Sequence, residues 1–202
     1  MGRGEEVSLK TSWPFDSKLL AQFTEIEAHA RQVGGMQNVP HDAGRFFHIL
    51  ARATRARRIL EVGMSNGYST LWLASAAQHH DGHITTVERD SSKVNLARKN
   101  FGRAGLDHRI EIKMGEAMRV VRKLEGTFDF IFLDASKEDQ LDMLQILEPH
   151  LAPGGLVISD NALTHVSELA AYTAYVRSHP VFESLLIPIG NGFEMSLSGV
   201  RR

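Results

Sequence analysis

From residue 58 onward, short apolar runs alternate with stretches whose apolar positions recur at helical spacing. Residues 58–62, 83–87, 109–113, 128–133 and 156–159 read as strands. Between and after them, 68–77, 91–103, 116–123, 138–150 and 166–177 read as helices. Pro153-Gly154-Gly155 reads as a turn feeding the fifth strand. Two more strands, 183–188 and 193–197, flank Gly190-Asn191-Gly192, a connection short enough for an antiparallel hairpin. This order predicts an α/β fold: a doubly wound, mostly parallel seven-stranded sheet with an antiparallel C-terminal hairpin strand. Residues 1–57 read as two helices, near 16–32 and 42–54, split by the Gly- and Pro-bearing stretch 34–40. With no repeat or linker, one domain is expected over 1–202, with its core in 58–202.

Two acidic signatures stand out against this pattern. Asp134-Ala135-Ser136-Lys137 follows the fourth strand and Asp160-Asn161 the fifth. Neighbouring parallel strands would bring two carboxylates and an amide oxygen together beside a lysine. Hard oxygen ligands suit Mg²⁺, Mn²⁺ or Ca²⁺. Taken singly, Asp134 is as readily a helix N-cap and Lys137 a solvated helix-start lysine.

A third signature is the loop Glu61-Val62-Gly63-Met64-Ser65-Asn66-Gly67 after the first strand. Its spacing departs from Gly-x-Gly-x-x-Gly, and no Gly-Lys-Ser/Thr follows, so neither a dinucleotide nor a triphosphate site is indicated. Glu61 repels phosphate and favours a cationic cofactor. Glu88 ends the second strand, where a carboxylate accepts ribose hydroxyls. Together these features point to S-adenosylmethionine.

Composition narrows the class. The chain has 202 residues, 43% hydrophobic, with a formal net charge of −1. Near-neutrality gives no reason to expect nucleic acid or an anionic membrane as partner. There is no cysteine, which removes thiolate chemistry and is compatible with the cytoplasm, the expected location. No apolar run approaches the roughly 20 residues that span a bilayer. The histidine run His79-His80-Asp81-Gly82-His83 fits no standard zinc spacing. Trp13 and Phe15 are candidates for a pocket lid or a dimer contact, with ordinary packing equally open.

The ordered set of Arg58–Ser69, Val87-Glu88, Met114-Gly115-Glu116-Ala117, 133–137 and 159–161 resembles the cation-dependent O-methyltransferases, the class I methyltransferase group of catechol and caffeoyl-CoA O-methyltransferases and their bacterial relatives. The resemblance runs from about Met36 to the C-terminus. It implies a Rossmann-like core that transfers methyl from S-adenosylmethionine to a catechol-like aromatic hydroxyl with a divalent cation, Mg²⁺ foremost. Glu61, Gly63, Ser65, Gly67, Ser69 and Asp134 would line the cofactor site, Glu88 would hold the ribose, and Glu116 and Ala117 would flank the adenine. Asp134, Asp160 and Asn161 would hold the cation, and Lys137 would be the base. Met36, Val39 and His41, in or beside the strip that closes over the ligands, would contact the acceptor. A homodimer is also implied. The chain departs from the family at Gln140, where many members carry tyrosine, and at Ala135 and Ser136, where bulkier residues occur. The competing readings are a metal-independent methyltransferase of the same fold and a non-catalytic cofactor-binding protein.

Overall fold

The computed structural model describes residues 17–34 and 36–199; Trp13 and Phe15 lie outside them. Seven strands form one sheet: β1 Arg58–Val62, β2 His83–Glu88, β3 Ile110–Met114, β4 Phe128–Leu133, β5 Leu151–Asp160, β6 Phe182–Ile187 and β7 Phe193–Ser198. Their order is β3-β2-β1-β4-β5-β7-β6. The pairings from β3 through β5 are parallel. β7 pairs antiparallel with both β5 and β6, so the hairpin enters the sheet with its second strand innermost.

Alternation of side chains along a strand divides the core in two. Phe130 and Phe132 of β4 join one cluster, while Ile131 and Leu133 join the other. The first cluster packs under α1 Ser17–Val33, α2 His41–Ala53, α3 Tyr68–Ala77 and α4 Ser91–Ala104. The second packs under α5 Ala117–Val121, α6 Gln140–Leu147 and α7 Ala170–Ser178. All ten residues of α3 are buried, because α2 packs on α3 from outside while the sheet lies beneath. Its buried polar side chains are bonded: Ser69 and Thr70 donate to Glu61 and Ser75 to the Trp72 carbonyl. Phe23 of α1 stacks on Trp72 of α3 with ring centroids 3.9 Å apart, fastening the N-terminal helices to the core.

Three of the differences from the sequence expectation concern β5 and the helices on either side of it in the chain. The predicted turn at Pro153-Gly154-Gly155 lies inside β5, which begins at Leu151. There Phe128 pairs with Leu151 and Phe130 with Leu156, so the extra residues bulge from the ladder. The sixth helix starts at Gln140, since 137–139 form a turn, and a 3₁₀ turn carries it from Glu148 to His150. The last helix starts at Ala170. Asn161, with φ 69°, reverses the chain, and its carbonyl accepts from the Thr164 and His165 amides, holding 161–169 as a series of turns.

Candidate active site

Parallel strands place their carboxyl ends on one edge, and ligands bind where the strand order reverses. Here that point lies between β1 and β4. The loops after these strands are in contact: Asp134 N–H donates to Val62 O at 2.8 Å. Gly63 has φ +107°, and a Cβ there would come within 2.3 Å of the Asp134 carbonyl oxygen, so glycine lets the two loops meet. Gly67, φ +84°, caps α3 where a Cβ would strike the Phe101 ring.

A cleft of about 400 Å³ opens along this edge. Of the residues singled out above, Gly63, Ser65, Glu88, Glu116, Ala117, Asp134, Lys137, Asp160 and Asn161 line it. A neighbouring cavity of about 580 Å³ is lined by Met36, Val39 and His41 together with Glu27, Arg31 and Tyr68. Gln37, Asn38, Asn161, His165 and Asn191 border both spaces.

Glu61, Gly67 and Ser69 do not reach the cleft wall. Glu61 is fully buried on the α3 face of the sheet, accepting from Ser69 Oγ at 2.6 Å, Thr70 Oγ1 at 2.5 Å and Thr86 Oγ1 at 2.6 Å. Burial pushes its carboxyl up to about 7, with the three hydroxyl donors offsetting part of the shift. Its visible task is to tie the start of α3 and strand β2 to β1.

Glu88 does reach the cleft, and it organises the loops around itself. Its Oε2 accepts from Ser65 N–H at 2.9 Å, and Oε1 accepts from the Arg89 and Asp90 amides at 2.9 Å each. Asp90 in turn caps α4 by accepting from Ser92 and Lys93 N–H. Glu116 caps α5 through the Met118 and Arg119 amides at 3.0 and 2.9 Å.

The two acids share a wall of the cleft. Lys137 Nζ lies 2.8 Å from Asp134 Oδ1, with both side chains largely buried. Asp160 is 4% exposed. Burial pushes both carboxyls above the usual range; the charge of Asp134 raises Asp160 further, and Lys137 pulls both back. Asn161 N–H donates to Asp160 Oδ1 at 2.7 Å, and its Nδ2 donates to Thr164 Oγ1 at 3.1 Å, so the amide oxygen is the group left for a ligand. Two crowded carboxylates and one amide oxygen match a hard divalent cation, which relieves their mutual repulsion. No group of three or more His, Cys, Asp or Glu suited to a metal occurs among the described residues. The His79–His83 run forms no such group: His80 bonds the Arg52 carbonyl and Asp81 pairs with Arg109 at 2.7 Å.

His41 is half exposed and bonded through Nδ1 to Glu27 Oε1 at 2.9 Å; the Tyr68 hydroxyl donates to the same oxygen. Val39 is buried. Met36 Sδ accepts from Asn66 Nδ2 at 3.6 Å, tying the strip to the cofactor-type loop.

Several lining residues escaped the sequence reading. Asn191 arrives through the hairpin turn, which is held by Leu163 N–H donating to Asn191 O and Ala162 N–H to Gly192 O, both at 2.9 Å. No local pattern signals that docking. Asn38 carries buried amide atoms that have no partner among the described residues. His165 follows Asn161 by one turn, its Nδ1 3.2 Å from Thr164 Oγ1, and could be found only once 161–169 was known to fold back on the cleft.

Comparison with known proteins agrees with this geometry. A family model described as O-methyltransferase matches residues 7–193. A catechol O-methyltransferase of Niastella koreensis is 35% identical over 130 residues, covering 62% of this chain and 58% of that protein, so the match spans less than two thirds of the relative. Caffeoyl-CoA O-methyltransferase 2 of Populus trichocarpa is 29% identical over 93% of this chain and 85% of its own length. An O-methyltransferase from Bacillus cereus, solved in complex with SAH, superposes with a TM-score of 0.81 at 26% identity over 93% of both chains. Among the described residues no helix is long and apolar enough to cross a membrane.

Proposed function

The chain belongs to the O-methyltransferase family, and on that premise we propose that it moves the methyl group of S-adenosylmethionine, with a divalent cation, to one hydroxyl of a small catechol-like aromatic. The observation that carries this reading is the meeting of Asp134, Lys137, Asp160 and Asn161 on one wall of the cleft whose other parts include Gly63, Ser65 and Glu88.

In this reading the cofactor occupies the 400 Å³ cleft. Gly63 and Ser65 present backbone to it, Glu88 faces its ribose, and Glu116 and Ala117 flank its adenine. Asp134, Asp160 and Asn161 hold the cation, with Mg²⁺ the first choice for an all-oxygen set. When bound, the cation supplies Lewis acidity that lowers the pKa of the acceptor hydroxyl, and the cofactor supplies the electrophilic methyl. The acceptor enters from the 580 Å³ cavity, past Met36, Val39 and His41. Lys137 takes the hydroxyl proton at Nζ, while Asp134, at 2.8 Å, keeps that amine at the wall. Asn38, His165 and Asn191 border both spaces and orient the acceptor against the cofactor, the alignment on which much of the acceleration depends. The proposal also includes one domain over 1–202, a homodimer, no nucleic-acid or membrane partner, and a cytoplasmic setting, with which a cysteine-free chain is compatible.

The test is methyl transfer from labelled S-adenosylmethionine to vicinal-diol aromatics, with Mg²⁺ and with EDTA, alongside S-adenosylhomocysteine binding. Mg²⁺-dependent product is expected, and Asp160→Ala should lose that turnover while still binding S-adenosylhomocysteine. Undiminished turnover in EDTA would overturn the cation assignment.

A further inference from the structure

The two acids of the cleft are held by different parts of the sheet. The β4–β5 ladder ends at the pair Leu133 and Ser159. One residue later the strands part company: Asp134 N–H bonds to Val62 of β1, and Asp160 pairs with Phe193 of β7. The β4–β5 ladder therefore stops one residue short of the two carboxylates.

One side chain clamps this last rung, immediately before the strands part. Gln140, the first residue of α6, is completely buried. Its Nε2 donates to Leu133 O at 3.4 Å, and its Oε1 accepts from Ser159 Oγ. Both partners immediately precede an acid. The Gln140 backbone N–H also donates to Lys137 O at 3.3 Å, so the same residue ties down the turn that carries the lysine. A carboxamide suits this place because it donates and accepts at once.

We propose that Gln140 is a positioning residue for the cation: by bracing Leu133 against Ser159 it sets the spacing of Asp134 and Asp160, and with it both the affinity of the site and its preference for a small divalent ion. This rests on the assignment of Asp134, Asp160 and Asn161 as cation ligands. Mg²⁺ demands near-ideal octahedral geometry with short bonds, whereas Ca²⁺ accepts a looser and more variable shell. Loss of the brace therefore weakens Mg²⁺ more than Ca²⁺.

The experiment needs no turnover. Mn²⁺ binding to the full chain is followed by the electron paramagnetic resonance of the free ion, and Mg²⁺ and Ca²⁺ are measured by competition. Gln140→Met fills the same space without either hydrogen bond, and Ser159→Ala removes one bond from the opposite side. S-adenosylhomocysteine affinity reports that each variant is folded. Gln140→Met should lower Mg²⁺ affinity by about tenfold and Ca²⁺ affinity by no more than about threefold, with S-adenosylhomocysteine binding unchanged. Ser159→Ala should shift the Mg²⁺ to Ca²⁺ ratio in the same direction by a smaller factor. Unaltered cation affinity in both variants, or equal losses for the two ions, overturns the positioning role alone. A wild-type chain that binds S-adenosylhomocysteine but no Mn²⁺ overturns the cation assignment and this inference with it.

Discussion

Lys137 Nζ sits 2.8 Å from Asp134 Oδ1, three residues along the same turn, with both groups on the cleft wall. The pair fixes where the amine is available to an acceptor hydroxyl. Lys137→Met should lower kcat by about 10²–10⁴ while leaving S-adenosylhomocysteine affinity in place. Lys137→Arg should fail to restore turnover, because guanidinium does not give up its proton near neutral pH. An active Lys137→Arg enzyme would show that the residue serves by charge and not as a base.

Glu88 holds Ser65, Arg89 and Asp90 through three backbone amides. Removing it undoes both the loop after β1 and the approach to α4. Glu88→Ala is expected to weaken S-adenosylhomocysteine binding by about 10–100-fold, the scale of losing hydrogen bonds to a charged group. Calorimetry on the purified variant checks this, and affinity within twofold of wild type would remove Glu88 from the site.

Glu61 gives stability a definite pH slope. Its carboxyl titrates at about 7 in the fold against an ordinary 4.5. Between those values the folded protein keeps a proton that the unfolded chain has released, so stability falls as pH rises through this window. The contribution is on the order of 3 kcal/mol, present below about pH 4.5 and lost above about 7. Denaturant titrations of the ligand-free protein at stepped pH should show a shallower decline for Glu61→Gln than for wild type. Parallel profiles would sink the assignment.

Glu194 lies in β7 with its side chain fully buried, and Arg177 of α7 meets it with Nε at 2.7 Å and Nη2 at 2.6 Å. Arg177→Ala strands the carboxylate inside. Because the arginine is half exposed, the expected loss is about 3 kcal/mol, the lower end for a broken buried pair. Adding Glu194→Gln should recover part of it in the double variant. A single variant as stable as wild type would mean water solvates the carboxylate.

Elements whose signal is local were legible in the chain. β1, β4 and α3 begin and end where alternation and helical period place them, and all seven strands are present in the expected arrangement. Gly63 and Gly67 were recognisable because a turn after a strand restricts which residue fits. Departures came where tertiary contacts outweigh local pattern: Pro153-Gly154-Gly155 bulges within β5 between Leu151 and Leu156, which pair with β4, and the start of α7 is delayed by turns anchored on Asn161.

By itself the sequence determined the α/β order, the buried faces and the identity of the acids and lysine, because side-chain period and residue chemistry are properties of the chain alone. Tertiary structure decided how those groups are used. It placed Glu61 beneath the loop, because strand alternation turns that side chain toward α3 and its hydroxyls. It brought Asn191 to the cleft, because β7 inserts beside β5. It set Gln140 between Leu133 and Ser159, because the turn after β4 folds α6 back over the ends of β4 and β5. Each of these depends on which distant segments touch, and one-dimensional periodicity carries no record of that.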